Sequence, residues 1–222
     1  MFRAAGARDV LELGARHGRD ALHFAREGFT VQATDFSATG LEQLRDAASQ
    51  QGVGEKVTTA VHDVRDPLRL PDACVDAVFA RMLLCMALSA KELLALVAEV
   101  RRVLRPGGVF VYTVRHTGDA HYGAGTARGD DIFEHGGFAV HLFDRALVDV
   151  LAAGWTLEEV HASRRATSRA ACGALPRPCP GGVQPVSCRT VAARQSLLRR
   201  SWQPQPQPQP EASRPLVARC RR

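Results

Sequence analysis

The chain has 222 residues, 45% of them hydrophobic, and a formal net charge of +6, enough apolar mass for one well-packed core. The charge is uneven: residues 163–222 carry 12 Arg, no Lys and one acid, whereas residues 1–162 carry 17 basic and 22 acidic side chains. The folding part is therefore mildly acidic, which argues against a phosphate-binding face and a specific nucleic-acid partner. The six cysteines show no CxxC or Cys/His ligand spacing, and no segment has the apolar length of a signal or a membrane span, so a reduced, cytoplasmic protein without a membrane partner is expected.

Residues 9–14 form a short apolar run ending in glycine, and Leu22, Phe24 and Ala25 follow at helical spacing: strand, turn, helix. TVQATD (30–35) is a second strand, after which Ser37 or Thr39 caps a helix to about residue 51. KVTTAVHDV (56–64) is a third. Beyond the turn at Asp66-Pro67, CVDAVFA (74–80) reads as a strand covered on both faces. Ser89 opens a long helix whose buried side includes Leu93, Leu96, Val97 and Val100, and Arg105-Pro106-Gly107-Gly108 ends it. VFVYTV (109–114) is the fifth strand. About twenty irregular residues (115–137), a FAVHLF segment, a helix over 144–153 and a strand in WTLEEVHA complete the pattern. Strand and helix alternate throughout, which predicts an α/β fold with a doubly wound, mostly parallel, Rossmann-like sheet, formed by a single domain over residues 1–162.

This grammar stops after Ala162. Residues 163–222 hold nine of the twelve prolines and the run QPQPQPQP, the composition of an extended, solvated, Arg/Pro-rich disordered tail. In the fold family that the motifs below resemble, a last strand lies beside the fifth; it has no convincing source here and is read as missing. The near absence of Lys and Ile and the absence of Asn point to a GC-rich gene, in which a single-base frameshift near residue 162 would yield such a tail.

VLELGARHGRD (10–20) carries the chemistry. A strand-to-helix turn of this kind meets the polar part of a nucleotide ligand with the N–H groups of the helix start. A nicotinamide enzyme expects GxGxxG there; this chain has Gly14 and Gly18 but Arg19 in the last position, so that oxidoreductase reading is the weaker alternative. The order Glu12, Gly14, Arg16, Gly18, then Asp35 with Phe36, then Asp63, then the Leu-Arg-Pro-Gly-Gly turn resembles the class I S-adenosylmethionine-dependent methyltransferases. GRDALHFAREGFTVQATDFS is similar to their small-molecule branch, which includes the tellurite-resistance methyltransferases. The resemblance implies S-adenosyl-L-methionine as cofactor. Gly14 and Gly18 would approach its methionine part, Asp35 its ribose hydroxyls, Asp63 and the Val64 backbone its adenine, and Ala80 and Arg81 would lie near the methionine end. Singly, the glycines could be only geometric, and Asp63 could cap the next turn.

A sulfonium methyl is already activated, so such an enzyme mainly positions a small-molecule acceptor and excludes water. A base is needed only if the acceptor arrives protonated. Four of the eight histidines fall at 116–141, and His116, His121 and Tyr122 are the candidate catalytic residues of an acceptor-binding lid. No metal site is assigned, because the spacings match no standard ligand set; the alternative for this segment is a solvated glycine-rich loop. Arg16 stands where the resemblance expects glycine, and there it opposes binding by bulk and by charge. A degenerate cofactor-binding protein without turnover is therefore the alternative to an active enzyme.

Overall fold

Short apolar runs become the parallel centre of a sheet in the computed structural model, which describes residues 2–119, 121–164 and 187–195. The parallel strands are β1 (Asp9–Leu13), β2 (Thr30–Asp35), β3 (Val57–Val61), β4 (Val75–Arg81) and β5 (Leu104–Arg115). They lie in the order β3-β2-β1-β4-β5, and the direction of progression reverses between β1 and β4. Register places Leu13 beside both Thr34 and Ala80, and Asp35 beside Val61. The C-terminal ends of four strands therefore finish level with one another around that switch point.

Helices cover both faces. On one side α1 (Arg19–Arg26) and α2 (Ala38–Gln50) bury Leu22, Ala25, Leu41 and Leu44 against Val10, Val31 and Ala33. On the other, α3 (Ala90–Val103) and α4 (Arg145–Leu151) pack Leu93, Leu96, Val100 and Val148 against Leu11, Val78 and Phe110. Each fully buried Leu or Val contributes roughly 1.5–3 kcal/mol of transfer free energy. Helix α3 starts on a reciprocal cap in which Glu92 donates its backbone N–H to Ser89 Oγ and its carboxylate accepts from the Ser89 N–H at 2.8 Å.

The Arg-Pro-Gly-Gly turn does not supply the expected glycine cap: α3 ends at Val103 with Leu104 already extended, and the turn lies within β5, where pairing slips between Leu104 and Val109. Gly107 there has φ +81°, a conformation that glycine adopts without strain. Arg105 reaches Asp9 at 2.9 Å and Asp76 at 2.7 Å, tying the N-terminal ends of three strands together.

Two expectations need correction. The segment after β5 is not irregular: it holds a three-stranded antiparallel sheet of β6 (Thr126–Gly129), β7 (Ile132–His135) and β8 (Phe138–His141). Both connections are two-residue hairpins with positive φ at both positions, Asp130 and Asp131 in one and Gly136 and Gly137 in the other. That geometry matches the right-handed twist of the flanking strands.

The last strand of the main sheet is also present. β9 (Trp155–Arg164) runs past the expected boundary at residue 162, and β10 (Ser187–Gln195) inserts antiparallel between β5 and β9. Paired on both sides, β10 satisfies backbone groups that an open gap between β5 and β9 would strand. Its sequence, SCRTVAARQ, has only Thr190 and Val191 as strand formers at its centre, amid a Pro- and Arg-rich stretch that masks them. The remainder of the expected tail, 165–186 and 196–222, lies outside the described residues.

Candidate functional site

The turn after β1 is held by backbone bonds from Gly14 and Ala15 to the Thr34 carbonyl at 2.8 and 2.9 Å, and it closes with Gly18 donating to Ala15 at 2.8 Å. Gly14, Arg16 and Gly18 all have positive φ, at +72°, +52° and +84°. A Cβ on Gly18 would stand 2.0 Å from Leu44 Cδ1 and 2.8 Å from its Cγ, so glycine is sterically required there; one on Gly14 would meet only the tip of Leu83 at 2.9 Å, and its positive φ is what favours glycine. Arg16 takes the left-handed conformation without being glycine, and its residue is exposed. Gly18 has no side chain to bond the first amides of α1, and one of them, the Ala21 N–H, donates to the Glu12 carboxylate.

Glu12 sits beneath this turn, 2% exposed, and its Oε2 has no partner. Burial, reinforced by the nearby Asp20 and Asp35 charges, pushes its pKa up to about 8. Asp20 in turn holds Arg81 at 3.1 Å, and Ala80, fully buried, lies directly beside Leu13. The strand-end acids and small residues named from sequence thus meet around one turn.

Asp35 is 4% exposed and accepts the N–H groups of Arg16 and Ser37, each at 2.8 Å. The Arg16 backbone is therefore engaged with the acid that ends β2 even though its side chain is out of place for a glycine loop. Phe36 is 77% exposed beside it. Asp63 carries an ion pair with Arg65 and accepts that residue's backbone N–H at 3.0 Å, which lowers its pKa to about 2. Val64 packs partly buried against the core, leaving its backbone as the relevant group.

The insert lies at the same end of the sheet. Val140 bridges to Met86, and His141 donates its backbone N–H to Cys85 at 3.0 Å, so β8 is pinned to the loop that follows β4. His116 directly follows β5, and its Nδ1 accepts the Gly118 N–H at 3.0 Å, which places the imidazole hydrogen on Nε2. His121 is held by Asp119 and Arg115, a grouping that sequence reasoning left unassembled because it depends on a turn: the His121 N–H donates to Asp119 Oδ1 at 2.9 Å. Tyr122 donates its phenol to Asp131 at 2.8 Å, which raises its pKa, the wrong direction for a proton acceptor. His141 is buried with Nδ1 2.8 Å from the Leu88 carbonyl and His135 is exposed on a hairpin, so neither joins the group. Among the described residues no cluster of three or more His, Cys, Asp or Glu could hold a metal ion, and no helix is long and apolar enough to cross a membrane.

Residues 10–108 match the sequence family described as "Methyltransferase domain". No curated protein matches the chain in sequence. Among solved structures, the chain is similar to an S-adenosylmethionine-dependent methyltransferase from Methanosarcina mazei, at 17% identity over 86% of this chain and 93% of that one, with a TM-score of 0.67. It is similar to a Burkholderia thailandensis 1,6-didemethyltoxoflavin-N1-methyltransferase with bound 1,6-didemethyltoxoflavin and S-adenosylhomocysteine, at 21% identity over 88% and 74%, with a TM-score of 0.62. A third is TehB from Haemophilus influenzae, at 16% identity over 88% and 60%, with a TM-score of 0.62. Residues 10–108 thus match a methyltransferase-domain family, and the described part of the chain has the Rossmann-like fold of these solved methyltransferases.

Proposed function

We propose that this methyltransferase domain moves a methyl group from S-adenosyl-L-methionine to a small-molecule acceptor beneath the β6–β8 insert. The observation that carries the reading is the convergence of Gly14, Gly18, Glu12 and Asp35 on one turn at the topological switch point. The residues fit the cofactor. Glu12 offers one buried carboxyl oxygen without a partner at the start of α1, where it also accepts the Ala21 N–H. Asp35 retains acceptor capacity beyond two N–H bonds, and Phe36 presents an open ring face.

Gly14 and Gly18 admit the methionine part to the backbone, with Glu12, Ala80 and Arg81 around it. Asp35 takes the ribose hydroxyls, Phe36 stacks on adenine, and Asp63 and the Val64 backbone address its edge. When bound, S-adenosylmethionine supplies a sulfonium-activated methyl group. The chain's own work is to hold the acceptor in line and exclude water, which the insert does by closing over the loop after β4. His116 presents a donor at Nε2 and His121 a second nitrogen to the acceptor; Tyr122, committed to Asp131, has no part in proton transfer.

Isothermal titration of S-adenosylhomocysteine and of NADH against the full chain tests this. Saturable binding of the first alone is expected; binding of NADH alone would replace the reading with a nicotinamide oxidoreductase. The positive φ of Arg16 favours one second reading, a cofactor-binding protein without turnover. Binding without methylated product over a broad panel of hydroxyl, amine and oxyanion acceptors would select it.

A further inference from the structure

Asp119 is a carboxylate with a side chain 0% exposed, in an insert that is otherwise largely open to solvent. Arg115 and His121 are among the residues that hold it. Arg115, the last residue of β5, donates Nε to Oδ2 at 3.1 Å and Nη2 to Oδ1 at 3.0 Å. His121 donates its backbone N–H to Oδ1 at 2.9 Å and sets its ring Nδ1 at 3.0 Å from the same oxygen. A largely buried ion pair gains little net stability over apolar packing, because desolvation offsets its Coulomb attraction. What such a pair does supply is orientation, and the group oriented here is the His121 ring, whose side chain is 33% exposed.

Nδ1 also lies 2.9 Å from Arg115 Nη2, so two tautomers compete. With the hydrogen on Nδ1, the ring donates to Asp119 and Nε2 keeps a lone pair. With the hydrogen on Nε2, Nδ1 accepts from Arg115 and the ring offers a donor. Both bonds are charge-assisted, the first by its anionic acceptor and the second by its cationic donor, but in the second the Nδ1 lone pair would also stand 3.0 Å from the Asp119 Oδ1 anion. Arg115 already gives Nε and one Nη2 hydrogen to the carboxylate, so the other Nη2 hydrogen is what competes for Nδ1. The turn over residues 119–121 brings the ring to Asp119 through a backbone bond that is independent of Arg115.

We infer that Asp119 is a positioning residue that holds His121 as the Nδ1–H tautomer with Nε2 open as a proton acceptor, so that the methyl acceptor is a molecule reaching the site with a dissociable proton on its nucleophilic atom. This rests on the methyl-transfer reading above. As the acceptor's oxygen or nitrogen bonds to the methyl carbon, the carbon–sulfur bond breaks with its electron pair left on sulfur, and the acceptor's proton passes to His121 Nε2. The imidazolium so formed lies against the Asp119 carboxylate, and bulk water later removes the proton. An acceptor that arrives as an anion would need none of this.

The test requires no knowledge of the acceptor. Two-bond 1H–15N spectra of the full chain labelled with 15N-histidine report the tautomer of each neutral ring, and His121→Gln assigns the signal. The expected result is an Nδ1–H tautomer for His121 in the wild type and its loss in Asp119→Asn, with the affinity for S-adenosylhomocysteine unchanged. A wild-type His121 carrying its hydrogen on Nε2 would overturn the inference, leaving Asp119 as an anchor for Arg115 alone. Absence of S-adenosylhomocysteine binding, with the Nδ1–H tautomer present, would instead sink the methyl-transfer reading while the Asp119–His121 arrangement stood.

Discussion

Arg16→Gly isolates what the odd residue of the cofactor turn does. At φ +52° an L side chain carries about 1–2 kcal/mol of backbone strain. Glycine removes that strain but adds about 0.4–1 kcal/mol of unfolded-state freedom, so fold stability should rise by about 0–1.6 kcal/mol. The binding effect has a separate signature. S-adenosylmethionine carries a sulfonium charge that S-adenosylhomocysteine lacks, and an exposed charge pair is worth about 0.2–1 kcal/mol, up to about fivefold in Kd. Titration calorimetry at about 50 mM salt should therefore show Arg16→Gly tightening S-adenosylmethionine more than S-adenosylhomocysteine. The difference should shrink near 0.5 M salt as the charges are screened. Arg16→Ala, which keeps the strained backbone and loses the cation, should recover the charge-dependent part alone. Equal affinity of all three proteins for both ligands would refute the reasoning: the guanidinium would then lie clear of the site, and the reading without turnover would lose its main support.

Glu12 makes the apo fold sensitive to neutral pH. Its folded pKa of about 8 lies above the ordinary 4.5, so the folded state binds the extra proton. Stability is full below about pH 4.5 as far as this group is concerned and declines as pH rises toward 8, by up to about 1.4 kcal/mol per unit. Urea unfolding at pH 5.5 and 7.5 should show this slope, and Glu12→Gln should flatten it; an unchanged slope in the variant would assign it elsewhere. Gly18→Ala should destabilise by about 2 kcal/mol or more, since it combines positive φ with a Cβ 2.0 Å from Leu44 Cδ1. Pairing Gly14→Ala with Leu83→Ala should recover only the steric share of the Gly14 loss, as measured by denaturant midpoint. Truncation after residue 186 removes β10 and should give a protein that aggregates or unfolds cooperatively at lower temperature by calorimetry. Retention of the wild-type midpoint would mean that the sheet does not depend on this strand.

The parallel core was readable because each strand is a short apolar run whose ends are marked by residues with one plain role. Gly14 and Gly18 turn the chain, and Ser89 caps α3. The turn between β1 and α1 was readable for the same reason, as its glycines are spaced along a single β-turn-α unit. Two features were missed. The hairpins of the insert were signalled by Gly129-Asp130-Asp131 and by Gly136-Gly137, yet the surrounding polar residues made the whole stretch resemble a loop. β10 was missed because its pairing is decided by the gap between β5 and β9 rather than by its own composition. The Arg115–Asp119–His121 group lies outside any helix, so neither the 3.6 nor the 2.0 period relates its members.

The place of β10 also bears on how the chain reaches its fold. Its partners in β5 end at Arg115, some seventy residues before Ser187, so the sheet must wait for a contact of long loop closure, and such contacts form late. During synthesis the two-layer core can assemble from residues 9–115 while one side of β5 remains an open edge with unpaired amides. That edge is a template for other chains until β10 emerges and inserts. Yield and solubility of this protein should accordingly depend on the rate at which its last hundred residues are made and on chaperones present in that interval.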